Sequence, residues 1–130
     1  MQSSFGLYTL FIACFALAFS AVGIAVPVES SSSLTKRDLT GKATWFNVGL
    51  GSCGLTNVDS DYIVALSPAQ GSHCNQQIRI TDETTGVSAT ATVRDTCPGC
   101  GADDLDLSPS LFSHFESLDK GTFQVNWSFI

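Results

Sequence analysis

The chain has 130 residues, 44% of them hydrophobic, and its twelve acidic and six basic residues give a formal net charge of −6. Nucleic acids and anionic membranes are recognised by clustered cations, so this charge argues against both as partners. It is compatible with a neutral partner such as a polysaccharide, and the length allows one small domain that benefits from covalent crosslinks.

The N-terminal segment is apolar and uncharged from Phe5 to Phe19 and is followed by small residues. This pattern predicts a signal peptide over residues 1–20, and therefore a secreted, extracellular protein with no membrane association after processing. A membrane anchor is the alternative, but the run is shorter than the roughly 20 residues that a bilayer crossing requires.

A serine-rich segment follows and ends in the dibasic pair Lys36-Arg37. The pair is similar to the processing sites of fungal Kex-type proteases, so residues 21–37 are predicted to be a propeptide or linker. A flexible tail whose cations have no function is the alternative. Residues 38–130 then form the folded domain, in which four cations against eleven carboxylates give a net charge of −7.

The domain keeps four cysteines, Cys53, Cys74, Cys97 and Cys100. An even number in a small secreted domain predicts two disulfides, with three connectivities open. A zinc site is disfavoured because secretion favours oxidation and the second pair lacks metal-ligand spacing, so no metal is predicted. A thioredoxin-like role for Cys97-x-x-Cys100 is also disfavoured, because the motif does not open a helix that would stabilise a thiolate.

Four strands are predicted, over residues 40–47, 76–81, 87–95 and 122–129: the first from its β-branched and aromatic residues between glycines, and the other three from the alternation of polar and apolar residues. The second and third of these form a hairpin across Gly86. Its second strand places one apolar set inward, namely Val87, Ala89, Ala91 and Val93. The short apolar run of residues 62–66 is compatible with a strand or with a helical turn.

A helix is predicted to begin at Ser108, with Ser108 as the N-cap, Pro109 as the first helical residue and Leu107 packing against Phe112. Its apolar face comprises Leu111, Phe112, Phe115 and Leu118, and His114 falls on the polar side. Several short strands and one helix in about ninety residues predict a small β-barrel.

Five stretches occur together in the order of one family: residues 41–46, 51–54, 93–100, 105–108 and 125–127. With them the sequence resembles the barwin-related domains of expansins, rare-lipoprotein-A-like proteins and the secreted fungal loosenins. The resemblance implies a mainly β fold, a six-stranded double-psi β-barrel with one short helix and two disulfides. The second, carbohydrate-binding domain of true expansins has no counterpart, so a monomeric, one-domain, loosenin-like protein is expected.

The same resemblance ranks the disulfides. In barwin and expansins the cysteine of the Cys-Gly loop pairs with one just before the second predicted strand, which implies Cys53–Cys74 and leaves Cys97–Cys100. The pairing of Cys53 with Cys97 and of Cys74 with Cys100 remains open.

The resemblance also implies a function, the binding and non-hydrolytic loosening of cell-wall polysaccharide such as cellulose, chitin or peptidoglycan. In the related family-45 endoglucanases an acid lies just before the helix, where this chain has Asp106, and a base ends the first strand, where it has Asn47. An amide cannot deprotonate water, so the hydrolytic pair is incomplete and an enzyme is not expected. The expected groove comprises Asp106, Asp95, Thr44, Trp45, Asn47 and Tyr62.

Three alternatives stay open. A weak endoglucanase or lytic glycosidase would use Asp95 as its second carboxylate. A protein-binding effector or inhibitor module would ignore glycans. Fungal chains of this kind are often labelled riboflavin aldehyde-forming enzymes, but the sequence has no dinucleotide fingerprint and no cofactor is predicted. Asn126 begins a glycosylation sequon inside a predicted strand.

Overall fold

The computed structural model of the chain describes Gly23 and residues 36–130. The predicted signal peptide and nearly all of the predicted propeptide lie outside these residues, so their boundaries stay predictions. In the part of the chain that is described, no helix is long and apolar enough to cross a membrane.

Six strands form the domain: β1 (Leu39–Trp45), β2 (Ile63–Leu66), β3 (Gln77–Asp82), β4 (Ser88–Thr96), β5 (Leu105–Leu107) and β6 (Phe123–Phe129). They close into a barrel in the order β1-β5-β2-β4-β3-β6. The pairs β1–β5 and β2–β4 are parallel and the other pairs are antiparallel. One α-helix, α1 (Pro109–Phe115), follows β5, so the described residues confirm a six-stranded barrel with one short helix.

The four predicted strands are present with bounds close to those predicted, and the undecided run of residues 62–66 contains a strand. The fifth strand, β5, was not predicted, because three residues are too few for a periodic pattern. Residues 105–107 form a strand because their backbone is hydrogen-bonded to β1 on one side and to β2 on the other.

Two local predictions were wrong. Val87 does not face inward: it is exposed and belongs to the hairpin turn, where its carbonyl accepts a hydrogen bond from the Asp82 amide. Leu118 does not belong to α1, because the chain becomes extended at Glu116 and Leu118 starts a separate 3-10 turn. Leu118 still packs against the core from that turn.

The barrel interior is filled by side chains from every strand and from α1. Fully buried members include Ile78 and Ile80 of β3, Phe112 of α1 and Trp127 of β6. Each large apolar side chain buried in this way contributes about 1.5–3 kcal/mol. Because the interior is packed, a ligand has access only to the outer faces of the strands and to the loops.

Both disulfides lie outside this core. Cys53–Cys74 ties the loop between β1 and β2 to the segment before β3, and Cys97–Cys100 closes the turn after β4. This confirms the pairing implied by the resemblance, and the alternative pairing of Cys53 with Cys97 is wrong.

Candidate functional site

Three of the predicted site residues lie in one row across four neighbouring strands. Asp106 of β5 is the register partner of Thr44 on one side and of Ala65 on the other, and Ala65 is in turn the partner of Asp95. Strands lie about 4.8 Å apart and register partners project to the same face. The row therefore brings two carboxylates to the outer surface, separated by the methyl group of Ala65.

Asp106 is half-buried and is the centre of this row. The Thr44 hydroxyl donates a hydrogen bond of 2.9 Å to the Asp106 carboxylate. Burial raises the pKa of Asp106 above its ordinary value of 3.8, the Thr44 hydrogen bond opposes this rise, and the charge of Asp95 adds to it. Asp106 therefore holds its proton more tightly than an exposed aspartate does.

The Cys97–Cys100 disulfide lies against the same carboxylate. A carboxylate oxygen of Asp106 and the two sulfur atoms all lie within 4.8 Å of one another. The sulfurs exclude water from one side of Asp106 and so contribute to its burial. Since they are bonded to each other, they offer no thiolate to a metal ion in this oxidised form.

Asp95 is fixed by backbone donors. Its Oδ1 accepts hydrogen bonds from the amides of Ser52, at 2.9 Å, and Thr96, at 2.8 Å. The loop that supplies Ser52 packs its backbone directly on β4, where a Cβ on Gly51 would lie 2.3 Å from the Arg94 carbonyl oxygen. The loop between β1 and β2 thus forms one wall beside Asp95.

Asn47, for which the resemblance implied the position of the hydrolytic base, is exposed and bonded to a carboxylate that sequence reasoning missed. Its amide donates to Asp59 Oδ2 at 3.0 Å, and the Val48 amide donates to Asp59 Oδ1 at the same distance. Both oxygens of Asp59 are thereby occupied. No local sequence signal connects Asn47 with Asp59, because the two are joined only by the course of the loop.

The two aromatic candidates do not lie in the row of Asp106. Trp45 follows Thr44 and so projects to the opposite face of β1, where it packs against the core and its indole donates to the Leu118 carbonyl at 3.1 Å. Tyr62 is exposed, three residues from Ala65, and its ring lies 5.9 Å from that of His114. A role for either ring in stacking on sugars stays a prediction.

Asn126 lies in β6 between β1 and β3, where its side-chain oxygen accepts a 2.7 Å hydrogen bond from the Thr40 hydroxyl. It is half-buried and outside the Asp106 row. Glycosylation of Asn126 stays a prediction.

Comparison with known proteins identifies the class of fold first. The solved structure of the Streptomyces papain inhibitor superposes with a TM-score of 0.65 at 27% identity, over 72% of this chain and 94% of that one. A mutant expansin of Clavibacter michiganensis, solved in complex with cellohexaose, gives a TM-score of 0.64 at 20% identity, over 72% of this chain and 50% of that one. The domain is a double-psi β-barrel.

The family follows from the sequence. The chain is 30% identical over 133 residues to the papain inhibitor of Streptomyces mobaraensis, with 92% of each protein covered, and it therefore belongs to the family of that inhibitor. The "Allergen Asp f 7 homolog" of Arthroderma benhamiae is 35% identical over 82 residues, which span 56% of this chain and only 27% of that relative. No protein-family model matches the chain.

Proposed function

We propose that the domain is secreted, binds cell-wall polysaccharide on the outer face that carries Asp106, and loosens contacts between glycan chains without hydrolysing them. The observation that carries this proposal is the row of Thr44, Asp106 and Asp95, three half-buried polar side chains on one outer face. Carboxylates are strong acceptors for sugar hydroxyls, and charge-assisted hydrogen bonds contribute about 1.5–3 kcal/mol each. The expansin that binds cellohexaose supports the proposal through its shared fold.

Non-hydrolytic action is favoured by the groups around the row. Hydrolysis of a glycosidic bond requires an acid and a second carboxylate that serves as base or nucleophile. Asn47 occupies the position implied for the base, and its amide is bonded to Asp59. Asp95 is the remaining candidate, and its Oδ1 already accepts two backbone hydrogen bonds.

The test is a pull-down of the secreted protein with insoluble cellulose, chitin and peptidoglycan, with release of reducing sugars measured in parallel. Asp106→Asn should weaken binding about 5- to 10-fold, because the amide oxygen still accepts hydrogen bonds from sugar hydroxyls but without the contribution of the charge. Asp119→Asn, which removes an exposed carboxylate outside the row, is the matched control. Unchanged binding by Asp106→Asn would refute the proposed site, and sugar release by the wild type would favour the hydrolase.

A second candidate function is protease inhibition. It is favoured by the family relation, since the papain inhibitor matches this chain over 92% of both proteins, whereas the likeness to the expansin concerns the fold alone. A small domain crosslinked by two disulfides also suits an inhibitor, because a rigid surface loses little conformational entropy on binding. Inhibition of papain by the purified protein tests this candidate directly.

A further inference from the structure

Exposed apolar side chains concentrate in the loop between β1 and β2. Among the residues that the structure describes, six large hydrophobic side chains are exposed, and four of them lie between residues 50 and 62. These four are Leu50 (74% exposed), Leu55 (45%), Val58 (57%) and Tyr62 (41%). Exposed apolar residues that occur singly need no explanation, whereas four of them in one short loop make that loop a candidate interaction surface.

The loop is held in one conformation despite its exposure. Leu50 forms an isolated β-bridge with Thr56, and the Gly51 amide donates to the Leu55 carbonyl at 3.0 Å. The buried Asn57 amide donates at 3.2 Å to the carbonyls of both Gly49 and Leu55. The Cys53–Cys74 disulfide ties the loop to the barrel, so its apolar side chains are presented in a fixed arrangement.

A shallow pocket opens beside these side chains. Leu55 and Tyr62 line it together with Ile63, and Asp61 and Arg94 supply one charge of each sign; its volume is about 360 Å³. The Arg94 guanidinium is already bonded to the side chain of Asn75. The pocket therefore combines three apolar or aromatic side chains with several polar ones, which suits a partner segment that carries both kinds of group.

The chemistry of this surface fits a protein better than a glycan. Sugars stack on flat aromatic rings and bond to polar groups, whereas Leu50, Leu55 and Val58 present branched aliphatic groups. Such side chains act as anchors in pockets of a protein partner, and a prearranged loop reduces the entropy lost on binding. The net charge of −7 over residues 38–130 favours a partner whose binding cleft is rimmed by cations.

We propose that residues 50–62, which we call the apolar loop, form the docking surface for a protease of the papain class, with Leu50, Leu55 and Val58 as anchors in its substrate cleft. This inference rests on the second candidate function and gives that function its contact surface. The anchor side chains of the apolar loop are distinct from the Asp106 row, although Gly51 and Ser52 of the loop lie against Asp95.

The test is an inhibition assay of papain on a fluorogenic peptide, with the complete secreted protein. The triple variant Leu50→Ser, Leu55→Ser and Val58→Ser should raise the inhibition constant at least about 30-fold, as expected for loss of anchor residues. Val87→Ser, which replaces an exposed valine of the β3–β4 turn, is the matched control and should change it less than about twofold. All four side chains are exposed, so these substitutions should leave the fold intact. Thermal unfolding of each variant checks this.

The outcomes of this assay separate a failure of the proposed docking surface from a failure of the inhibitor function. If the wild type inhibits papain and the folded triple variant inhibits equally well, the apolar loop is not the docking surface, although the inhibitor function stands. If the wild type does not inhibit papain, both the inference and the second candidate function fail. Asp106→Asn should inhibit papain like the wild type, which would show that the two surfaces are independent.

Discussion

Asp106 owes its properties to three neighbours: Thr44 comes from β1, whereas Asp95 and the Cys97–Cys100 disulfide come from the end of β4 and the turn after it. The Cys97–Cys100 disulfide limits the access of water to Asp106, and Thr44 donates a hydrogen bond to its carboxylate. The negative charge of Asp95 repels the ionised form of Asp106. These influences differ in sign, because burial and a like charge favour the neutral carboxyl whereas a donated hydrogen bond favours the carboxylate. Single substitutions can therefore separate them.

We expect Thr44→Val to raise the pKa of Asp106 further, because it removes the hydrogen bond that stabilises the ionised form. Asp95→Asn should lower the pKa, because it removes the repelling charge. The measurement is an NMR titration of the Asp106 carboxyl carbon in each variant. Shifts of the same sign in the two variants would contradict the assigned neighbours.

The raised pKa also makes stability depend on pH. The folded state keeps the Asp106 proton above pH 3.8, where the unfolded chain releases it, so the folded state binds more protons in this window. The free energy of unfolding should therefore fall as the pH rises from about 4 through the raised pKa. Urea unfolding of wild type and Asp106→Asn at a series of pH values measures this, and an identical pH dependence of the two proteins would contradict it.

At the scale of elements, the site depends on how the turn before β5 sits against β1. Gly41 of β1 approaches this turn so closely that a Cβ would lie 2.0 Å from the Asp103 carbonyl oxygen. The same carbonyl accepts the Trp127 indole hydrogen at 2.8 Å, and the Lys42 amide donates to Asp104 at 2.8 Å. A side chain at position 41 would therefore disturb contacts that position β5 and, with it, Asp106.

Gly41→Ala should lower the free energy of unfolding by about 1–3 kcal/mol, because backbone atoms have to move to make room for the methyl group. Gly49→Ala is the matched control, since a Cβ at that position meets no atom within 4 Å. Chemical denaturation of both variants measures the difference. Equal free energies of unfolding of the two variants would contradict the prediction, because they would show that the backbone of the turn moves at no cost.

Removal of the two disulfides should lower the stability of the domain by different amounts. Cys53–Cys74 joins residues 21 apart and Cys97–Cys100 residues 3 apart, so chain entropy assigns them about 3.4 and about 1.9 kcal/mol. Replacing the first pair by serine should therefore lower the free energy of unfolding more than replacing the second pair.

Replacing the second pair should expose Asp106 to water and lower its pKa towards 3.8, a change that the first replacement should not produce. Unfolding experiments and the NMR titration measure both quantities.

At the scale of the whole molecule, the proposed domain boundary at residue 37 would fall just before the first strand of the barrel. Lys36, Arg37 and Asp38 are exposed and precede β1, whose first residue is Leu39. Cleavage after Arg37 would therefore leave every strand of the barrel intact.

Treatment of the full chain with a Kex-type protease should yield a product of residues 38–130, identified by its intact mass, with a thermal stability like that of the uncut domain. Lys36→Ala combined with Arg37→Ala should prevent the cleavage. Arg79→Ala, which removes an exposed single arginine from β3, should leave it unchanged. Cleavage elsewhere, or a product that unfolds, would contradict the boundary.

The sequence by itself determined the features that depend on neighbours along the chain. Alternation located β3, β4 and β6, because one face of each strand meets the core, and β-branched and aromatic residues between glycines located β1. Ser108 and Pro109 located the start of α1, and the order of the motifs implied the barrel and both disulfides. The family resemblance indicated Asp106 as a site residue, and the inventory of carboxylates indicated Asp95.

Only the tertiary structure decided which of these residues meet. Thr44, Asp106, Ala65 and Asp95 form one row because closure of the barrel places four separate strands side by side. The same closure makes a strand of Leu105–Leu107. The contact of Asn47 with Asp59 and the exposure of the apolar loop depend on the fold of a segment without periodicity. Hydrophobic patterns report the burial of a residue within its own element, whereas a site is made of contacts between elements.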